Sequence, residues 1–121
     1  MVKDQNFFNR TSIAFWGLLS AFKEERNFRI QSAIAIVVIF FMIVLGLNYV
    51  EDSILIIMIL VVLSLELINS QIEKFLDIVQ PEHHPKVRII KDFSAGAVLL
   101  SVIGSIAVGI LIFLPYAMSI F

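Results

Sequence analysis

The chain has 121 residues, 60% of them hydrophobic and only 16% charged, with a mean hydropathy of +0.97 and a formal net charge of −1. That composition excludes an ordinary water-soluble domain and indicates a membrane protein, in which the placement of charge matters more than its sum. With no cysteine, disulfide frameworks and thiolate metal sites are excluded, and no nucleic-acid partner is expected.

The opening residues "MVKDQNFFNR" lack the apolar run of a cleaved signal peptide, so the spans are expected in the mature protein. Residues 5–25 then read as an amphipathic helix. Phe7, Phe8, Ala14, Phe15, Leu18, Leu19 and Phe22 fall on one side, and Asn9, Arg10, Ser20 and Lys23 on the other, with Ile13 as the exception. Such a helix lies in the membrane interface. Three apolar stretches follow, at about 28–50, 54–79 and 87–118, each long enough for the roughly 20 helical residues that cross a bilayer core. Pro115 is placed to kink or stop the third. Short connections leave room for one integral-membrane domain, 1–121, of all-α class.

Lys3, Arg10, Lys23, Arg26 and Arg29 precede or open the first span, and Lys74, Lys86, Arg88 and Lys91 surround the connection between the second and third. The other connection carries only Glu51 and Asp52. All nine basic residues therefore lie on one side, which the positive-inside rule makes cytoplasmic. The N-terminus is expected inside and the C-terminus outside, with Trp16 and Tyr116 as interfacial anchors on opposite sides.

The second span ends in "LSLELINSQIEKFLD", Leu63 to Asp77. At about 100° per residue, Glu66, Glu73 and Asp77 fall within about 40° of one another, flanked by Asn69 and Ser70. Glu66 lies about 18 Å from Ile54 along the axis, and Glu73 about 10 Å nearer the cytoplasm. A carboxylate at the depth of Glu66 costs a few kcal/mol and marks a functional site unless it only joins helices by a hydrogen bond. The third span opens with "KVRIIKDFSAGAVLL", which returns Lys91 and Asp92 at about the depth of Glu73. Carboxylates able to hold Mg²⁺ would face a lysine able to hold phosphate. A deeper carboxylate would accept a proton from a lipid hydroxyl. That combination suits phosphoryl transfer from a nucleotide to a membrane lipid alcohol.

Neither G-x-x-x-x-G-K-[ST] nor G-x-G-x-x-G is present, so any ATP site is of another kind. His83 and His84 have no third ligand at suitable spacing. Pro85 instead reads as the first position of the third spanning helix. Small residues Ala97, Ser101, Ser105 and Gly109 recur every four positions, a pattern that serves either an interface between subunits or contacts within one chain. An oligomer is also expected because three spans alone cannot enclose a polar stripe. A small ion-coupled transporter or channel subunit is the rival reading, since transporters also bury carboxylates, but internal repeats and a midplane site are missing.

The segment "ELINSQIEKFLD" resembles the signature of the small prokaryotic diacylglycerol kinases, Glu-x-x-Asn-[Ser/Thr]-[Ser/Ala]-x-Glu followed by Asp. "EERNFR" at Glu24 to Arg29, "EHHP" at Glu82 to Pro85 and "KDFSAGAVLL" at Lys91 to Leu100 extend the likeness, especially to the undecaprenol kinase branch. The resemblance implies a homotrimer with sites shared between neighbours, ATP as phosphoryl donor and Mg²⁺ as cofactor. It further implies a bacterial plasma membrane location and Glu66 as catalytic base with Asn69 beside it; by position, Asn69 and Ser70 are the candidate donors to the lipid substrate. Glu25 and Glu73 would bind the metal, and Asp77, Lys91 and Asp92 the nucleotide. Gln71 departs from the small residue of the motif, as do Arg88 and Ile90 before the Lys-Asp pair. The family's N-terminal arginine has no counterpart in register, where Asn6 stands, with Arg10 one turn on. A catalytically inactive family member acting as a scaffold is the third reading.

Overall fold

A computed structural model of the protein describes residues 6–121. Position 5 of the expected first helix and Lys3 of the basic set lie outside the described residues. Four helices follow in order: α1 (Phe7–Glu24), α2 (Arg26–Leu45), α3 (Tyr49–Val79) and α4 (Pro85–Ile120). The last three are long and apolar enough to cross a membrane.

Each boundary has a local cause. Asn6 caps α1 by accepting from the Asn9 amide at 2.9 Å. Glu25 interrupts the helical path in an extended conformation, φ −103° and ψ 107°, so α1 and α2 meet at a corner one residue long. Arg29 reaches back across it and donates to the carbonyls of Phe22 and Lys23, at 3.1 and 2.7 Å. Those carbonyls belong to the last turn of α1, whose negative dipole end favours a cation.

The turn between α2 and α3 lies at 46–48, earlier in the chain than the hydropathy pattern implied. Gly46 takes the left-handed conformation at φ 64°, and the Leu47 amide donates to the Met42 carbonyl, closing α2 at Leu45. Asn48 then starts α3 with a capping box, accepting from the Glu51 amide at 2.8 Å while its own amide donates to Glu51 Oε1 at 3.3 Å. Glu51 and Asp52, expected in a loop, therefore form the first turn of α3, where acidic side chains complement the helix dipole. Asn48→Ala is expected to lower stability by about 1 kcal/mol, read as a shifted thermal unfolding midpoint in micelles.

At the opposite end Pro85 occupies the first turn of α4, and His84 caps it, its Nδ1 accepting from the Lys86 amide at 3.1 Å. Pro115 does not stop α4, which continues to Ile120.

At a rise of 1.5 Å per residue α2 is about 30 Å long, matching the hydrocarbon thickness. α3 and α4, at about 46 and 54 Å, must project beyond the hydrocarbon or tilt within it. α4 packs mainly along α3, α2 packs on α3, and α1 touches α2. The best-buried apolar cluster is Met42, Leu47, Leu55 and Ile112, near the α2–α3 turn. There the Tyr116 hydroxyl donates to Glu51 Oε1 at 2.5 Å, tying the end of α4 to the start of α3. Most other large apolar side chains are exposed on the helix flanks, as lipid-facing or subunit-facing surfaces require.

The small-residue series divides along its length. Ala97 is exposed, whereas Ser101, Ser105 and Gly109 are half-buried. Ser105 and Gly109 line an apolar cavity of about 220 Å³ together with Leu55 and Val62. The hydroxyls of Ser101 and Ser105 donate to carbonyls of their own helix, at 2.7 and 2.8 Å, which leaves a smooth face for close packing. At Gly109 an added methyl group would meet nothing within 4 Å, so this part of the face borders open space and not a tight contact within the chain.

Candidate functional site

The polar stripe on α3 changes character from its deep end to its cytoplasmic end. Glu66 is only 6% exposed, and Asn69 and Ser70 are also buried. One chain therefore encloses this part of the stripe by itself, contrary to the expectation that three spans cannot. Close packing of α2 and α4 on α3 explains the difference. Glu73 is half-buried and Asp77 exposed, so the stripe opens toward the end bearing the α3–α4 connection.

If the far hydrocarbon boundary lies near Ile54, a core of about 30 Å ends some 20 residues later, close to Glu73. Glu66 would then sit within the core and Glu73 at its edge. The helix carries its carboxylates from a dry environment into a wet one.

Hydrogen bonds join several of these groups. Asn69 Nδ2 donates to Glu73 Oε1 at 3.4 Å, a long contact across one turn. Asn69 Oδ1 is buried without a hydrogen-bond partner, and such an atom is costly unless it receives a donor or a cation. Ser70 Oγ donates to the Leu67 carbonyl at 2.9 Å and accepts from Gln71 Nε2 at 3.4 Å. Around Glu66 stand the side chain of Asn27, from the first turn of α2, and the carboxylates of Glu73 and Glu25. The corner between α1 and α2 thus faces the deep end of the stripe.

Lys91 comes back from α4 as anticipated, but at Asp77 rather than Glu73. Its Nζ donates to Asp77 Oδ1 at 2.5 Å, with the side chains 33% and 65% exposed. Asp92 is exposed. A different cation, Lys74, serves the α1–α2 corner, paired with Glu25 at 2.5 Å and with Glu24 at 3.5 Å. Spacing arguments along α3 missed Lys74 and Asn27. Lys74 had one signal, as the single basic residue in α3. Asn27 had none beyond its place in "EERNFR".

Among the described residues, no three Asp, Glu, His or Cys side chains gather closely enough to hold a metal ion unaided. Glu25 and Glu73 nonetheless offer hard oxygen donors, and the unpartnered Asn69 Oδ1 is bonded to the same carboxamide that contacts Glu73. This donor set fits Mg²⁺, which commonly takes one or two carboxylates and completes its shell with water and substrate phosphate.

A helical membrane protein whose acidic face runs from within the bilayer core to an open end is the class that fold and site define. Residues 12–113 match the family model for prokaryotic diacylglycerol kinase, and the chain belongs to that family of membrane lipid kinases. It is 36% identical over 109 residues to the undecaprenol kinase of Bacillus subtilis (strain 168), covering 90% of this chain and 89% of that one. To the diacylglycerol kinase of Haemophilus influenzae it is 34% identical over 107 residues, covering 87% and 91%. The diacylglycerol kinase of Synechocystis sp. is 35% identical over 108 residues, 88% of this chain and 62% of the longer relative.

Proposed function

We propose that the protein transfers the γ-phosphoryl group of ATP directly to the hydroxyl of a membrane lipid alcohol, undecaprenol or diacylglycerol. The observation that carries this reading is the burial of Glu66 within a membrane-spanning helix, on the same face as Asn69 and Glu73. A carboxylate in that setting lies within the membrane, where a lipid alcohol can bring its hydroxyl in along the stripe from the interface and a water-borne acceptor cannot follow.

Glu66 accepts the hydroxyl proton as the oxygen attacks the γ-phosphorus. The new oxygen–phosphorus bond forms while the bond to the β–γ bridging oxygen breaks, and ADP departs with that electron pair. Asn69 and Ser70 orient the acceptor beside the base. Lys91, with Asp77 and Asp92, holds the nucleotide at the open end of the stripe. Glu25 and Glu73 would hold Mg²⁺, which would supply neutralisation of the phosphate charge. The basic residues put this end, and the N-terminus, in the cytoplasm where ATP is available. The extensive exposed apolar flanks support assembly as a homotrimer in the bilayer.

Between the two acceptors we favour undecaprenol, on the combined likeness of "ERNFR", "HHP" and "AGAV" to that branch. Diacylglycerol has ester carbonyls that would use hydrogen-bond donors, whereas a polyprenol offers only its hydroxyl and an apolar chain. The test is kcat/KM for both alcohols in the same micelles with Mg²⁺ and ATP. A higher value for undecaprenol is expected. A clear preference for diacylglycerol reverses the order, and no turnover of either lipid rejects the activity.

A further inference from the structure

Glu25 is the metal-binding candidate at the α1–α2 corner, and a cation already occupies its contact surface. Lys74 Nζ stands 2.5 Å from Glu25 Oε1, an oxygen closed off from solvent, and 3.5 Å from Glu24 Oε2. The lysine stem comes from α3, next in sequence to Glu73, the other metal-binding candidate. A side chain of α3 therefore brings its ammonium to the corner that carries Glu25. Lys91 is held by Asp77 and Arg29 by carbonyls of α1.

We propose that Lys74 is a positioning residue that holds the place of the divalent cation at Glu25 and yields it when the ion binds. The inference rests on the assignment of Glu25 to the metal. An ammonium and a hard cation compete for the same lone pairs, so Oε1 cannot be given fully to both. With Lys74 present, the two glutamates at the corner keep a counter-ion, and their mutual repulsion is reduced while the site awaits nucleotide. The Lys74 side chain is 48% exposed against 17% for Glu25, so water can take up the displaced ammonium. That exposure also limits the strength of the pair, because solvent-accessible ion pairs are weak and screened by salt. Lys74 is thus exchangeable, whereas a buried partner would lock Glu25 permanently.

The test uses Mn²⁺ as a spectroscopic probe of the purified protein in micelles without nucleotide, with free ion measured by electron paramagnetic resonance. Lys74→Met, which keeps much of the stem, is expected to tighten Mn²⁺ binding about twofold to fivefold at low salt, in line with loss of a weak competing ion pair. Raising the ionic strength to about 0.5 M should shrink that gain. Lys74→Arg restores a cation and should bind Mn²⁺ much as the parent does. In a Glu25→Gln background the Lys74→Met change should no longer tighten binding. Unchanged or weaker Mn²⁺ binding by Lys74→Met overturns the inference, while weakening by Glu25→Gln alone still upholds the metal assignment. No saturable Mn²⁺ binding by the parent, or none of its affinity lost in Glu25→Gln, rejects that assignment and the role of Lys74 together.

Discussion

Glu66→Gln is expected to lower turnover of the lipid acceptor by about 10²–10⁴, the range that a positioned general base contributes. The affinity for ATP should change little, because the groups proposed to hold the nucleotide, Asp77 and Lys91, pair toward the open end of the stripe and not at the deep end. The substitution isolates the chemistry well. Gln has nearly the same volume and retains hydrogen-bonding groups for Asn27, so no cavity opens at this buried position. What it loses is the ability to take the proton from the hydroxyl. A merely structural Glu66, hydrogen-bonded between helices, would instead show near-normal turnover in Gln and a stability loss in Ala. Measuring kcat for lipid phosphorylation beside nucleotide binding separates these outcomes. Turnover close to that of the parent rejects Glu66 as the base.

The acidic face was legible because helical periodicity is indifferent to burial. Glu66, Glu73 and Asp77 recur at seven and eleven residues, and any helix through them aligns them. Their environments were less legible. Periodicity gives the side of a helix but not what packs there, so the enclosure of Glu66 and the openness of Asp77 emerged only once α2 and α4 were placed. The pairing of Lys91 with Asp77 shows the same limit, since a connection of uncertain pitch shifts register by a turn. Lys74 was missed for a related reason. Its partner Glu25 stands at a corner whose extended backbone leaves the helical path, and no periodic rule reaches across such a break.

Helix ends failed differently, through reliance on hydropathy. Leu45, Leu47, Tyr49 and Val50 are interrupted only by Gly46 and Asn48, so a composition window extends the first span through the turn. The stop signal was present as Gly46, and the start signal as Asn48 followed three residues later by Glu51. These short polar cues outrank hydropathy at a boundary, because unsatisfied backbone groups at a helix end cost more than one apolar residue moved between environments.

Glu73→Ala and Glu25→Ala should each weaken the apparent affinity for Mg²⁺ at fixed ATP by at least about tenfold, and Glu73→Ala by more. Changes in residues that merely support metal ligands cost about 10–100-fold in affinity, so losing a direct ligand should cost no less. Glu73 carries the larger expectation because Asn69 Nδ2 contacts its Oε1, and removing the carboxylate also frees the carboxamide whose oxygen is unpartnered. Two oxygen donors are disturbed by one substitution. At Glu25 the loss is partly offset, since Lys74 is released and the site sheds a competing cation along with a ligand. Raising Mg²⁺ should then recover more activity in Glu25→Ala than in Glu73→Ala, whereas Glu66→Gln should not respond to added metal at all. That contrast distinguishes ion binding from proton transfer within one acidic face. Titrating Mg²⁺ against initial rates for the three variants provides the comparison. An unchanged metal requirement in both alanine variants removes Glu25 and Glu73 from the metal site.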